Sequence, residues 1–299
     1  MKNANRINME YKENFKILQF SDIHYSTDRD DIFFDNARKL INNENPDLIV
    51  LTGDVALGED NEKAAEKVFG FFGSFGVPFT SVFGNHDCEW GSSKDKIFDI
   101  LQRTDNVLKF EKNPKGYDFG PSVGNHIIDI GDQWTLYMID NGWAYTEDLV
   151  KWFKDSASCN KGMAFMHVPF KEYQDIHPDF CSKAVGIGYE PPEYGRVCPM
   201  ADDLGLFEEF KKNSVKAMFV GHDHLNDYIG KVGDIALGYA RTGDYYCYNA
   251  KGTHYLDPCR NPNTTEPIER GCKVIILNEN GFKCYSRLMN GEKLFETEF

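Results

Sequence analysis

No run in the chain approaches the roughly 18 consecutive apolar residues of a membrane-spanning helix. The first ten residues, Met1-Lys-Asn-Ala-Asn-Arg-Ile-Asn-Met-Glu10, hold no apolar core of the kind a signal peptide needs. The expected compartment is therefore the cytoplasm, or the exterior if a leader has been removed. A Cys-x-x-Cys pair is also missing, although there are eight cysteines, which argues against a thiolate zinc site. Cys181 with Cys198, closing a Gly/Pro/Tyr-rich loop, is the one disulfide the spacing suggests; the alternative is reduced, buried thiols. Basic surface is scarce as well. Acidic residues number 47 against 33 basic ones, a formal charge of −14, so neither nucleic acid nor an anionic membrane is an expected partner. Internal repeats and low-complexity tracts are absent.

What the chain does have is a recurring pattern: an apolar strand that stops at a metal-ligating residue type. Phe15-Lys-Ile-Leu-Gln-Phe20 leads into Ser21-Asp22-Ile23-His24. The same occurs in Leu48-Ile-Val-Leu-Thr-Gly-Asp54, Phe79-Thr-Ser-Val-Phe-Gly-Asn-His-Asp87, Met163-Ala-Phe-Met-His167 and Ala217-Met-Phe-Val-Gly-His-Asp-His224. If the first strand stays extended, Asp22 and His24 at i and i+2 leave on one face.

Between these blocks the period alternates. Helices are predicted over 31–43, 62–75, 94–104, 147–156 and 202–212, and strands over 48–51, 79–83, 126–130, 134–139, 162–166, 215–220 and 235–240. Gly131-Asp132 reads as a hairpin turn, and 272–277 with 282–288 as a closing hairpin. The βαβαβ opening implies right-handed crossovers and a parallel sheet, with ligands gathering beyond the carboxyl ends of the strands. The antiparallel pair makes the sheet system mixed. Residues 105–124 and 171–200 read as irregular, the latter as a lid or insert. The 299 residues are read as a single α/β domain.

Two divalent ions about 3.5–4 Å apart can clamp the attacking and leaving oxygens of a phosphoryl displacement and acidify a bridging water. One carboxylate must touch both ions, and Asp54, alone on its strand end, is the choice. Asp22, His24 and His224 complete one shell, and Asn85, His167 and His222 the other. With a bridging hydroxide the centre carries about +1, enough to attract a phosphate ester despite the acidic body. Imidazole and oxygen ligands suit Mn, Fe or Zn without choosing among them. His86 is assigned as general acid to the leaving alkoxide or as a clamp on phosphate oxygen, with Asp87 orienting its ring. Arg241 is a candidate for holding a phosphate oxygen. Gly124-Asn-His126 imitates the third block but opens a strand, so a structural role is expected; His177 and His254 are expected to be solvated surface residues.

The order Asp22-x-His24, Gly53-Asp54, Gly84-Asn-His-Asp87, His167, Gly221-His-x-His224 resembles the calcineurin-like metallophosphoesterase superfamily over most of the chain. Phe165-Met-His-Val-Pro-Phe-Lys-Glu-Tyr173 and Val220-Gly-His-Asp-His-Leu-Asn-Asp-Tyr228 look most like its small purple-acid-phosphatase-like branch. The resemblance implies an α/β/β/α sandwich of two mixed sheets flanked by helices, and a dinuclear phosphoesterase. The sequence departs in one place: where true purple acid phosphatases carry Asp-x-x-Tyr, Asp54-Val-Ala-Leu57 has leucine, so no tyrosinate and no purple colour are expected. The function so implied is hydrolysis of phosphomonoesters by a metal-bridging hydroxide. Its alternatives are a phosphodiesterase with the same centre, and a non-catalytic metal-binding scaffold for a protein partner.

Overall fold

In the computed structural model, residues 5–142, 144–189, 195–199, 202–245 and 268–299 are described. His254, Cys247 and Cys259 lie outside them. The first strand, β1, is Arg6–Met9, followed by β2 Phe15–Phe20, α1 Ile32–Glu44, β3 Leu48–Thr52, α2 Asn61–Gly73, β4 Phe79–Val82 and α3 Lys94–Arg103. The hairpin strands β5 His126–Ile130 and β6 Trp134–Met138 come next, then α4 Glu147–Ser156 and β7 Lys161–Phe165. A 3-10 helix at Lys171–Ile176, β8 Val185–Gly188, α5 Leu206–Lys212, β9 Val215–Val220, β10 Asn226–Val232 and β11 Ile235–Tyr239 follow. The chain closes with β12 Gly271–Leu277, β13 Phe282–Leu288 and β14 Lys293–Glu298.

Two mixed sheets result. One has eight strands in the order β1-β5-β6-β7-β9-β11-β10-β8; the other has six, β14-β13-β12-β2-β3-β4. Strands β2, β3 and β4 pair in parallel, as do β6, β7, β9 and β11, so their carboxyl ends collect at one rim.

The period of two along each strand explains the four layers. Phe15 and Ile17 of β2 and Leu48 and Val50 of β3 point between the sheets, where they meet Leu136, Met163, Phe165 and Phe219 of the larger sheet. Their neighbours Leu18, Phe20, Ile49 and Leu51 point outward onto α1, α2 and α3, packing on Phe33, Phe69, Phe72 and Ile97. On the far face of the larger sheet, Tyr137, Ala164 and Met218 cover Trp152 and Phe153 of α4 and Phe210 of α5. Helices, sheet, sheet and helices thus stack as an α/β/β/α sandwich. Among the described residues no helix is long and apolar enough to cross a membrane.

The segment 171–200 departs from its irregular reading, because it carries the 3-10 helix and β8, which pairs antiparallel with β10. Strand β8 is a four-residue, half-buried edge with two glycines, too short for a periodic signal. Helix α5 begins at Leu206 instead of 202, since Gly205 before it is left-handed at φ 83°. The Cys181–Cys198 bridge is not formed; both residues are thiols. His177 is fully buried, its ring edge-on to Tyr228, so the solvated reading is corrected. His126 is also buried, stacked on Phe110 with its Nδ1 donating to the Gly124 carbonyl at 2.6 Å.

Candidate metal centre

The rim where the parallel strands end brings the sequence blocks together. Strand β2 stops at Phe20, and the chain then turns twice: Asp22 and His24 are left-handed, at φ 52° and 47°. Their shared face therefore comes from these kinks, not from an extended i, i+2 strand. The kinked segment is tied to the exit of β3, with Asp22 N–H donating to the Gly53 carbonyl at 3.1 Å and the Ile23 and His24 amides to the Asp54 carbonyl at 2.9 Å. Asp54 and His222 are also left-handed, at φ 52° and 73°. Non-glycine residues rarely adopt this region, and such strain concentrates at functional sites.

Asp54 is the hub. Buried to 1% exposure, it places Oδ2 3.1 Å from both His24 Nε2 and His167 Nε2, and Oδ1 accepts from the His86 amide at 2.8 Å. Donor atoms of Asp22, His24 and His224 lie within 4.8 Å of one another, as do those of Asp54, His167 and His222, and those of His24, Asp54 and His86. Asn85 Oδ1 stands 3.1 Å from His167 Nε2. All seven residues expected as ligands thus meet at the rim.

The charges of this cluster are tightly interdependent. Burial raises the Asp22 carboxyl to about 6, with Asp54 adding to the shift and His167 opposing it. Burial works to raise Asp54 too, but His167 and His24 outweigh it and hold its carboxyl well below the usual range. His167 moves the other way, to about 9, because Asp54 and Asp22 overcome its burial, whereas burial and the neighbouring imidazoles push His222 to about 3. His167 Nδ1 donates to the Thr52 carbonyl at 2.7 Å, which turns Nε2 toward Asp54 in the orientation a metal-ligating imidazole uses. Buried carboxylates among imidazoles, with no thiolate, fit a pair of divalent ions.

The two residues expected to do acid–base work separate. His86 stays half-exposed, with Nδ1 2.8 Å from Glu89 Oε2. Asp87, expected to orient that ring, instead sits fully buried below it. Its Oδ2 accepts from the amides of Gly84 at 2.7 Å and Asp54 at 2.8 Å, and its Oδ1 from Val55 at 2.8 Å and Ala56 at 3.4 Å. At i+1 from His86 it points the other way, so Glu89 is the ring's neighbour and Asp87 a clamp between the exits of β3 and β4. Arg241 is buried too: its Nε donates to the Glu269 carbonyl at 2.7 Å and its guanidinium lies 3.3 Å from Asp227, which also meets Lys273 at 2.6 Å.

Three residues at this rim escaped the sequence reading. Asn141 Oδ1 accepts from the amides of His167 and Val168, fixing the exit of β7. Glu89 faces His86, and Asp244 lies against His24 and His224. Asp244 follows β11, another apolar strand ending at this rim, so the strand-end rule extended five residues further would have reached it.

The family model for calcineurin-like phosphoesterases matches residues 15–226. Among curated proteins, an uncharacterized protein of Schizosaccharomyces pombe is 28% identical over 257 residues, covering 74% of this chain but 47% of its own length. This chain therefore spans about half of that relative. A probable inactive purple acid phosphatase 14 of Arabidopsis thaliana is 24% identical over 80% of this chain and 72% of its own. Among solved structures, a dimetal phosphatase from Danio rerio superposes with a TM-score of 0.63 over 96% of this chain and all of its own, at 12% identity, a likeness of fold alone.

Proposed function

Because the chain belongs to the calcineurin-like phosphoesterase family, we propose that it hydrolyses phosphate monoesters at a dinuclear metal centre. In this reading Asp22, His24 and His224 would hold one ion, Asn85, His167 and His222 the other, and Asp54 would serve both. The observation that supports it is the convergence of two His/Asp groups on one buried aspartate. Two divalent ions, when bound, would supply Lewis acidity toward the phosphoryl oxygens and lower the pKa of a water between them.

The chain's own residues do the rest. His86 has its outer nitrogen against Glu89, so Nε2 is the atom left to protonate the departing alkoxide. Its amide is bonded to Asp54, which fixes the distance between acid and centre. The sequence has Leu57 where the Asp-x-x-Tyr pattern has tyrosine, so the loaded protein should show no tyrosinate-to-metal absorption.

A scaffold without turnover is the second reading, because the Arabidopsis relative carries "inactive" in its name. Presence of the whole donor set together with His86 favours turnover. The test is hydrolysis of p-nitrophenyl phosphate and of its bis ester by chain loaded with Mn, Fe or Zn, beside metal analysis. Monoester hydrolysis that vanishes with chelator and with Asp54→Asn is expected. A faster rate on the bis ester would favour a phosphodiesterase. Two bound ions with neither ester cleaved would overturn the catalytic reading in favour of the scaffold.

A further inference from the structure

We propose that Asp244 is a positioning residue for one of the two ions only, holding the imidazoles of His24 and His224 from behind. The inference rests on the metal-centre reading above. Asp244 is fully buried, and its Oδ2 lies 3.5 Å from His24 Nδ1 and 3.8 Å from His224 Nδ1. The same two rings direct Nε2 inward, His24 to Asp54 Oδ2 at 3.1 Å and His224 to Asp22 Oδ1 at 3.5 Å. They stand edge to face, with centroids 4.7 Å apart. One carboxylate oxygen thus addresses the outer nitrogens of two rings whose inner nitrogens share a cavity.

A carboxylate at Nδ1 favours the tautomer with a proton there and a bare lone pair on Nε2, which is the form that binds a cation. Withdrawing a carboxylate from water costs several kcal/mol unless partners offset it. Arg29 lies 3.9 Å from Oδ1, and Oδ2 is the oxygen nearest the imidazoles. The backbone around Asp244 is pinned to the ligand loop: Gly243 N–H donates to the Ser21 carbonyl at 2.9 Å, and the Asp244 amide to Thr242 Oγ1 at 3.2 Å. Arg270 Nε donates to the Asp244 carbonyl.

Asymmetry makes the inference testable. His167, in the other group, is oriented by the Thr52 carbonyl, whereas Asp244 faces the Nδ1 atoms of His24 and His224. Asp244→Asn is nearly isosteric, and Asp244→Ser serves as a second variant should the first fail to fold. Equilibrium dialysis against Mn2+ with metal analysis reads a dissociation constant for each site. The expected result is one ion weakened by about 10–100-fold and the other unchanged within about twofold. His224→Ala should weaken the same ion, and adding Asp244→Asn to it should cost less than the sum of the two. Unchanged binding of both ions, or equal loss of both in a folded variant, overturns the inference and leaves the centre standing. A wild-type chain that retains no ion overturns the centre and the inference together.

Discussion

Replacing Asp87 by alanine removes the acceptor of four backbone amides, those of Gly84, Asp54, Val55 and Ala56. Three of these bonds are 2.8 Å or shorter, and the carboxylate is fully buried, so water cannot replace it without opening the rim. Each orphaned amide costs about 1–3 kcal/mol. Part of that is returned, because burial and the nearby Asp54 already oppose the ionised Asp87. The net loss should be about 3–5 kcal/mol, against a total stability of about 5–15 kcal/mol for a folded domain. Metal should go as well, since the clamp holds Asp54 in its left-handed conformation. Urea unfolding of metal-free and Mn-loaded protein, with metal analysis of each, reads both effects. Were Asp87 there to orient His86, the variant would keep its stability and its ions and lose turnover alone. A loss under about 1 kcal/mol with both ions retained would refute the clamp.

His86→Asn should lower kcat by about 10²–10⁴-fold while metal content stays the same; equal loss of both would remove its role as an acid. Arg241→Met should leave KM and kcat untouched in whatever folds, and reduce stability by about 2–4 kcal/mol by opening the buried pair with Asp227; a raised KM would restore it as a substrate contact. Glu44 supplies a pH test remote from the centre. Burial works to raise its carboxyl, but bonds from Tyr285, Arg287 and Lys16 outweigh burial and hold it below the ordinary range. A depressed carboxylate stabilises the fold above its unfolded pKa, near about 4.3, and that stability is lost as pH falls through the folded value. Wild type should therefore lose stability more steeply than Glu44→Gln on acidification below about pH 4, as read by unfolding midpoints; identical slopes would refute the assignment.

The elements that sequence disclosed are those with two apolar faces or a full helical stripe. Leu48–Thr52 is buried at every position, and α3 and α4 show capped, amphipathic starts at Ser93 and Thr146. Strand β10 was invisible because Asn226 and Asp227 open it, and only the tertiary structure shows that Asp227 is neutralised by Lys273 and Arg241. Edge strands β1 and β14 present half-exposed, mixed residues with no burial signal. At the rim, the ligand types were legible because apolar runs point at them. Partnerships were not. Asp87 looked like the neighbour of His86 by adjacency, yet one step along the chain reversed its direction and gave it to the backbone of another loop.

The glycines of Gly53-Asp54, Gly84-Asn85 and Gly221-His222 read from sequence as turn punctuation, and only the first needs its freedom of rotation, with φ 87°. Gly84 and Gly221 have ordinary φ and are there for clearance. A methyl on Gly84 would overlap the Asp54 carboxylate, and one on Gly221 would overlap Ser21 Oγ and the Asp22 carboxylate. The carboxylates expected to hold cations thus lie directly on the backbone of neighbouring loops, and their own backbones are left-handed at Asp22 and Asp54. Strain of about 1 kcal/mol or more at each such residue persists only where the surroundings fix it. Backbone amides do so here, from His222 to Asp22 and from His86 to Asp54, each bonded to the carboxylate of a different strand end. The rim is therefore one interlocked unit, in which displacing any strand end disturbs the carboxylate of another. That is why five short blocks scattered over 200 residues of sequence form a single structural unit, in which no one block is positioned alone.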